Sequence, residues 1–186
     1  MNKPGTKSRN THWVTILLLS FIIFSCQEQG HPVALSAGGK LTEDSAAAFN
    51  HEIVRSELQE IEDFIIRYHW NMIRTETGLR YMIYKKGTGP VPGEGDNATI
   101  KFSIHLLTGD LVYSSNSNSP MVVRIGTGKV VNGLEEGIRL MKSGDHAKLI
   151  VPSHLAFGLL GDKQGVPARA ALVYDVELCA VTPSGR

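Results

Sequence analysis

The sequence predicts an α+β fold, in which a mostly antiparallel sheet of about five or six strands holds one short helix and follows one long helix. Two patterns carry this prediction. Between residues 79 and 181, apolar residues recur with a period of two in short segments separated by turn residues, which is typical of strands. Between residues 42 and 76, they recur at spacings of three and four, which is typical of a helix. At 186 residues and 42% apolar composition, the chain is long enough to bury one core.

The beginning of the chain has the pattern of a secretory signal. Basic residues among the first nine precede an apolar run from Trp13 to Phe24, and Ser25 directly precedes Cys26. The run has 12 residues, whereas a helix needs about 20 to cross a bilayer. We therefore expect a signal peptide over residues 1–25. Its ending resembles a bacterial lipoprotein signal, in which Cys26 is acylated; ordinary secretion with Cys26 as an incidental thiol is the alternative.

A glycine-containing stretch, residues 26–41, predicts a flexible tether before the long helix expected over residues 42–76. The apolar residues of that helix repeat as in a heptad seam: Val54, Leu58, Ile61, Ile65, Tyr68 and Met72. Such a seam indicates either a helix that packs on its own domain or a helix pair that forms a homodimer. The sequence leaves both interpretations open.

The stretch from Val131 to Pro152 predicts a short helix that leads directly into a strand. Asn132 and Glu135 have the spacing of a capping box, and Gly144 ends the helical pattern. The other strand segments predicted by alternation and turn residues span residues 79–87, 98–107, 111–115, 121–125 and 171–181.

Charge and motifs argue against several classes of function. The first 25 residues hold three of the 19 basic residues and no acids, so the rest is slightly acidic and gives no sign of nucleic-acid binding. No phosphate-binding glycine motif or nucleophile elbow occurs, and the seven histidines lack metal-ligand spacing. We expect no metal and no cofactor. Aromatic and aliphatic residues at the ends of elements fit either core packing or an apolar pocket.

From about Gly87 to Val181 the chain resembles the FK506-binding-protein family of peptidyl-prolyl cis–trans isomerases. The resemblance lies most clearly in VVNGLEEGIRLMKSGDHAKLIVPSHLAFG and ALVYDVEL. It implies an antiparallel half-barrel wrapped around a short helix over residues 77–183, isomerase activity, and proline-containing segments as partners. The preceding YHWNMIRTETGLRYMIYKKGTG is similar to the lead-in of membrane-anchored bacterial members, including gliding-motility-associated lipoproteins. This similarity implies a lipid-anchored protein on a bacterial cell membrane that assists the folding of exported proteins.

Residue by residue, the resemblance also implies a pocket. The residues expected to act in catalysis are Phe102, Tyr113, Val131 (through its N–H), Phe157 and Tyr174. The residues expected to bind substrate are Val112, Met121, Val130 and Leu134.

Five of these positions depart from the family's usual residues. Phe157 stands where a tyrosine hydroxyl is common, Leu134 where tryptophan is frequent, and Tyr113 where the family's pocket acid is common. Val112 and Met121 replace aromatic residues that are usual in the family. The changes at Val112, Met121 and Leu134 predict a wider pocket, weakened activity and poor binding of the macrolide that gives the family its name. A binding module or chaperone that holds proline-containing segments without turnover is the alternative.

Overall fold

The computed structural model describes residues 43–115 and 119–183. The predicted signal peptide, Cys26 and the predicted tether lie outside these residues. The elements in chain order are α1 (Glu43–Tyr68), β1 (Ile73–Arg74), β2 (Arg80–Lys85), β3 (Asn97–Leu106), β4 (Leu111–Ser114), β5 (Met121–Arg124), α2 (Asn132–Arg139), β6 (His146–Val151), a 3₁₀ turn (Ser153–Leu155) and β7 (Leu172–Thr182). The α+β class and the antiparallel sheet around a short helix are confirmed.

All strands of the described residues form one antiparallel sheet in the order β1-β2-β6-β7-β3-β4. β4 and β5 pair with the same edge of β3. β5 pairs with the first half of β3 and β4 with the second half, so the two short strands lie end to end. The sheet has seven strands, against the five or six expected, because the two-residue β1 is too short to show a period of two. The long β3 and β7 pair along their whole length and form its centre.

The short helix α2 lies very close to β6, since glycines face the sheet. A Cβ atom added at Gly133 would stand 2.3 Å from Val151 Cγ1, and one added at Gly137 would stand 2.4 Å from Leu149 Cδ1. Only glycine allows this approach. The helix buries Ile138 completely in the main core cluster.

The predicted capping box is wrong. The residue that precedes the helix is Val131, in an extended conformation with φ −60° and ψ 144°, and no side chain caps the helix. Asn132 is already helical, so its side chain has no free first-turn N–H in reach. The Glu135 carboxylate instead accepts hydrogen bonds from the Gly126 N–H at 3.0 Å and from Arg139 Nη2 at 3.2 Å.

Helix α1 ends at Tyr68 and not at residue 76 as predicted. His69 takes a left-handed conformation with φ 53°, the His69 N–H donates to the Ile66 carbonyl, and the Trp70 N–H donates to the Ile65 carbonyl, each at 3.1 Å. This is a Schellman closure. It turns the chain so that the Trp70 ring meets Phe64, with ring centroids 5.4 Å apart, and packs against the buried cluster of β6 and β7 described next; this packing overrides the helical period.

The second half of α1 packs on the face of the sheet opposite α2. Ile61 is fully buried and Phe64 nearly so, in a cluster with Ile150 of β6 and Val173 of β7. This is the first of the two arrangements that the seam indicated, and the homodimer stays a prediction. Within residues 43–115 and 119–183, no helix is both long and apolar enough to cross a membrane.

Polar contacts fix α1 at two further points. Arg80, which is 3% exposed, pairs with Glu62 at 2.6 Å. The Glu57 carboxylate accepts hydrogen bonds from the N–H of Ser153 at 2.5 Å and from its hydroxyl at 2.7 Å, at the start of the 3₁₀ turn. The helix is therefore tied to the segment that leads into the site described next.

Candidate functional site

A cavity of about 520 Å³ opens beside the start of α2. Pockets that enclose small ligands measure about 300–1,000 Å³. Most of its wall is apolar, and the lining residues are Phe102, Ile104, Tyr113, Ser114, Met121, Lys129, Val130, Val131, Leu134, Phe157 and Tyr174. They come from β3, β4, β5, β7, α2 and two connecting segments, so the cavity exists only in the folded chain.

Eight of the nine residues expected to form a pocket line this cavity. Val112 does not. Its side chain packs instead against the loop after Phe157, where a Cβ atom added at Gly165 would stand 2.7 Å from Val112 Cγ1. A residue that the sequence argument missed, Ile104, lies two positions after Phe102 on β3, and the period of two was the signal that could have found it.

The first turn of α2 forms one side of the cavity. Leu134 is 3% exposed, and Val131 accepts hydrogen bonds at its carbonyl from the N–H groups of Leu134 and Glu135. The Val131 N–H itself makes no hydrogen bond to another residue within the described ranges. One backbone donor is thus available at the cavity.

The aromatic side chains opposite α2 are held by the sheet and by one loop. The Phe102 backbone is bonded across to Ser115, whose N–H donates to the Phe102 carbonyl at 2.9 Å and whose Oγ accepts from the Phe102 N–H at 2.8 Å. Phe157 follows the 3₁₀ turn, and the Gly158 N–H donates to the Ser153 carbonyl at 2.8 Å. These bonds place both rings before any ligand enters.

Tyr113 and Asp162 form the polar feature of this site. The Tyr113 hydroxyl donates a hydrogen bond to the Asp162 carboxylate, which also accepts from the N–H of Gln164 at 2.9 Å and of Val166 at 2.8 Å. The Tyr113 hydrogen bond is the first cause that lowers the pKa of Asp162 to about 2, and the same bond raises the pKa of Tyr113. At neutral pH the tyrosine is therefore protonated and the aspartate ionised.

Asp162 was not among the residues expected at the site. The sequence DKQG shows a turn signal there, but the signal does not say which strand the turn lies against. In the fold, the loop brings this carboxylate to Tyr113 of β4, the position where the family's pocket acid is common. A carboxylate is thus present beside the pocket from a different place in the chain.

Comparison with known proteins identifies the family. A model of the FKBP-type peptidyl-prolyl cis-trans isomerase family matches residues 89–179. The chain is 33% identical over 102 residues to FK506-binding protein 1 of Dictyostelium discoideum, and the match covers 54% of this chain and 95% of that protein. The chain belongs to the FKBP family. It is also 32% identical over 111 residues to the FKBP-type isomerase FkpA of Escherichia coli, over 59% of this chain and 40% of FkpA.

Solved FKBP structures share the fold. The crystal structure of FkpA from Escherichia coli superposes with a TM-score of 0.63 at 27% identity, over 76% of this chain and 66% of that one. The crystal structure of AtFKBP13 superposes with a TM-score of 0.56 at 26% identity, over 60% of this chain and 98% of that one. Against several longer curated relatives the chain spans only 20% to 50% of their length.

Within residues 43–115 and 119–183, no group of three or more His, Cys, Asp or Glu side chains is arranged to hold a metal ion. The lining of the cavity combines an apolar wall with a few hydrogen-bonding groups.

Proposed function

We propose that this FKBP-family chain catalyses the cis–trans isomerisation of X–Pro bonds in polypeptide segments. The observation that carries the proposal is the apolar cavity in which Phe102, Phe157 and Tyr174 converge on the start of α2. Rotation about a peptide bond has a barrier of about 18–20 kcal/mol, while the two isomers of an X–Pro bond differ by only about 0.5–1 kcal/mol. No covalent bond breaks, so neither a nucleophile nor a cofactor is required.

The cavity can lower this barrier by binding the twisted amide better than the planar one. Its aromatic and aliphatic wall takes the proline ring and removes water from the imide group. The available Val131 N–H donates to a carbonyl of the bound segment and holds it while the bond turns. Catalysis then follows from this difference in binding.

A peptide assay tests the proposal. We expect the protein to accelerate isomerisation of a chromogenic proline peptide, and Phe157→Ala to lower kcat/KM by at least about tenfold because a large part of the apolar wall is lost. Phe49→Ala is the matched control, since Phe49 lies on α1 and is 64% exposed. If the wild-type protein and Phe157→Ala both gave the uncatalysed background rate, the proposed isomerase activity would be contradicted.

The second candidate function is a binding module or chaperone that holds proline segments without turning them over. Tyr113 and Leu134 favour it, because they stand where the family commonly has an acid and a tryptophan. The two functions separate when the same peptide is used in a binding titration and in the isomerisation assay. Binding without acceleration would favour the module.

We further propose that the protein is exported, anchored by a lipid on Cys26 to a bacterial cell membrane, and active on exported clients, as in the gliding-motility-associated branch that the lead-in resembles. The support is the signal pattern of the first 26 residues. Labelled palmitate should enter the wild-type protein and Cys179→Ala, but not Cys26→Ala. Label in Cys26→Ala would contradict the anchor.

A homodimer through α1 is a further proposal. The first half of the helix leaves Phe49 64% exposed and Val54 55% exposed, and both are apolar side chains able to meet a second copy. Sedimentation at micromolar concentrations should show a dimer that Val54→Glu dissociates. Monomers alone for the wild-type protein would remove this proposal.

A further inference from the structure

Tyr174 places a hydroxyl group deep in the cavity wall. The side chain is 1% exposed and stands on β7, opposite Ile104 of β3 and Leu149 of β6. It belongs to the main core cluster and lines the cavity at the same time. The position of the ring is therefore fixed by strands on both sides.

The Tyr174 hydroxyl makes no hydrogen bond to any residue in the described ranges. In the same part of the chain, every fully enclosed side-chain oxygen or nitrogen has a hydrogen-bond partner. The hydroxyl oxygen is therefore not fully enclosed, and the cavity that Tyr174 lines is the open space next to it. It can bond only to what enters the cavity.

The other side-chain hydroxyl and amino groups of the lining are placed differently. The Tyr113 hydroxyl is engaged with the Asp162 carboxylate, and Ser114 and Lys129 are exposed to solvent. Burial raises the pKa of Tyr174, so its hydroxyl keeps its proton at neutral pH and can donate. Tyr174 thus adds a protonated side-chain donor to a mostly apolar wall, where the Val131 N–H is an available backbone donor.

A buried donor changes which ligands the cavity prefers. A ligand that fills the cavity with hydrocarbon removes water from the hydroxyl and offers it no hydrogen-bond acceptor, which is unfavourable. A ligand that brings an acceptor restores the hydrogen bond, and the apolar surroundings strengthen it. Phe157, at the position where the family commonly has a tyrosine hydroxyl, leaves the cavity without that group.

We propose that the Tyr174 hydroxyl donates a hydrogen bond to a carbonyl oxygen of the bound polypeptide, and that it selects segments that place such an oxygen in the cavity. The inference rests on the proposed function, in which the cavity receives proline-containing segments. The cavity of about 520 Å³ has room for a proline ring together with part of the preceding residue. The carbonyl can therefore belong to the backbone before proline or to the side chain of the preceding residue.

Tyr174→Phe tests this inference, because it removes one oxygen atom and keeps the ring. The full chain is compared with the variant on two peptides that differ only before proline, one with Gln–Pro and one with Met–Pro, by isomerisation rate and by calorimetric Kd. We expect Tyr174→Phe to weaken kcat/KM and affinity by about three- to tenfold, the size of one lost hydrogen bond. A loss on both peptides assigns the bond to the backbone carbonyl, and a loss only on Gln–Pro assigns it to the side chain.

Tyr84→Phe is the matched control, since the Tyr84 hydroxyl bonds to Asp175 on the exposed side of the sheet, at 2.8 Å. It should leave rate and affinity unchanged, and both variants should unfold at the wild-type urea concentration within error. Wild-type performance of Tyr174→Phe on both peptides overturns the inference. If the wild-type protein binds the peptides without accelerating isomerisation, only the proposed isomerase activity is contradicted, because the Kd values still test the Tyr174 hydrogen bond. If it binds neither peptide, the proposed function and the Tyr174 inference are both contradicted.

Discussion

The Tyr113 hydroxyl donates to the Asp162 carboxylate and so joins β4 to the loop that follows Phe157. Two residues that are 49 positions apart in the chain form the polar edge of an apolar pocket. The Asp162 carboxylate also accepts hydrogen bonds from two backbone N–H groups of its own loop. One carboxylate therefore holds both the loop and the tyrosine in place.

We expect Asp162→Asn to destabilise the protein in a manner that depends on pH. The pKa of Asp162 is lowered to about 2, so the carboxylate contributes fully above the ordinary aspartate pKa near 3.9 and loses its contribution as pH falls through about 2. Urea unfolding should show a gap between wild type and Asp162→Asn at pH 6 that closes between about pH 4 and pH 2.

The companion variant for this pair is Tyr113→Phe. It removes the leading cause of the Asp162 pKa shift. The difference in unfolding free energy between wild type and Tyr113→Phe should therefore disappear over the same range of pH. Both variants should lower kcat/KM about two- to fivefold, since the aromatic wall loses a fixing hydrogen bond. A gap that stays constant from pH 6 to pH 2 would disprove this role for the pair.

Leu134→Trp should narrow the cavity and improve binding. Leu134 is 3% exposed beside a cavity of about 520 Å³, and a larger aromatic surface there adds contact with the proline ring. We expect tighter binding of proline peptides and of the family's macrolide, by about tenfold, in a fluorescence titration. Leu160→Trp, at a position that is 76% exposed, is the control. Unchanged affinity in Leu134→Trp would show that Leu134 is not part of the ligand surface.

Gly137→Ala should destabilise the protein by about 1–3 kcal/mol, because its Cβ atom would stand 2.4 Å from Leu149 Cδ1 and force α2 away from β6. Asn132→Ala on the same helix is the control, since Asn132 makes no capping bond, and it should cost less than about 0.5 kcal/mol. Denaturant unfolding measures both values. Equal stabilities for the two variants would contradict the close packing of α2.

Glu62→Gln should loosen α1 from the domain. It leaves the 3% exposed guanidinium of Arg80 without its counter-ion, and because Glu62 is itself 49% exposed, the cost should be about 1–2 kcal/mol and not the larger value of a fully buried pair. Glu177→Gln breaks a surface pair with Lys101 at 3.8 Å and should cost less than about 0.5 kcal/mol. Hydrogen exchange in α1 should rise only in Glu62→Gln, and exchange unchanged in α1 would count against this anchoring role.

The sequence alone determined the class of fold and most of the site. Strand alternation places Phe102 and Tyr174 on the inner face of the sheet, and turn residues separate the strands, because both signals are local and repeat over several residues. Alternation left open whether these aromatics serve the core or a pocket, and the resemblance to the family then supplied the pocket positions, among them Phe102, Val131, Leu134, Phe157 and Tyr174. Eight of the nine expected residues do line one cavity.

Only the tertiary structure decided where local patterns met stronger long-range contacts. Helix α1 stops at Tyr68, and Trp70 packs against the cluster that contains Ile150 of β6 and Val173 of β7, although the apolar period continues to Met72. Asp162 reaches Tyr113 because a loop with no period of its own folds against β4. Contacts between residues distant in sequence leave no periodic trace in either partner, so packing alone brings the carboxylate to the pocket edge. Packing also decides that Tyr174 lines the cavity while its hydroxyl has no hydrogen-bond partner among the described residues.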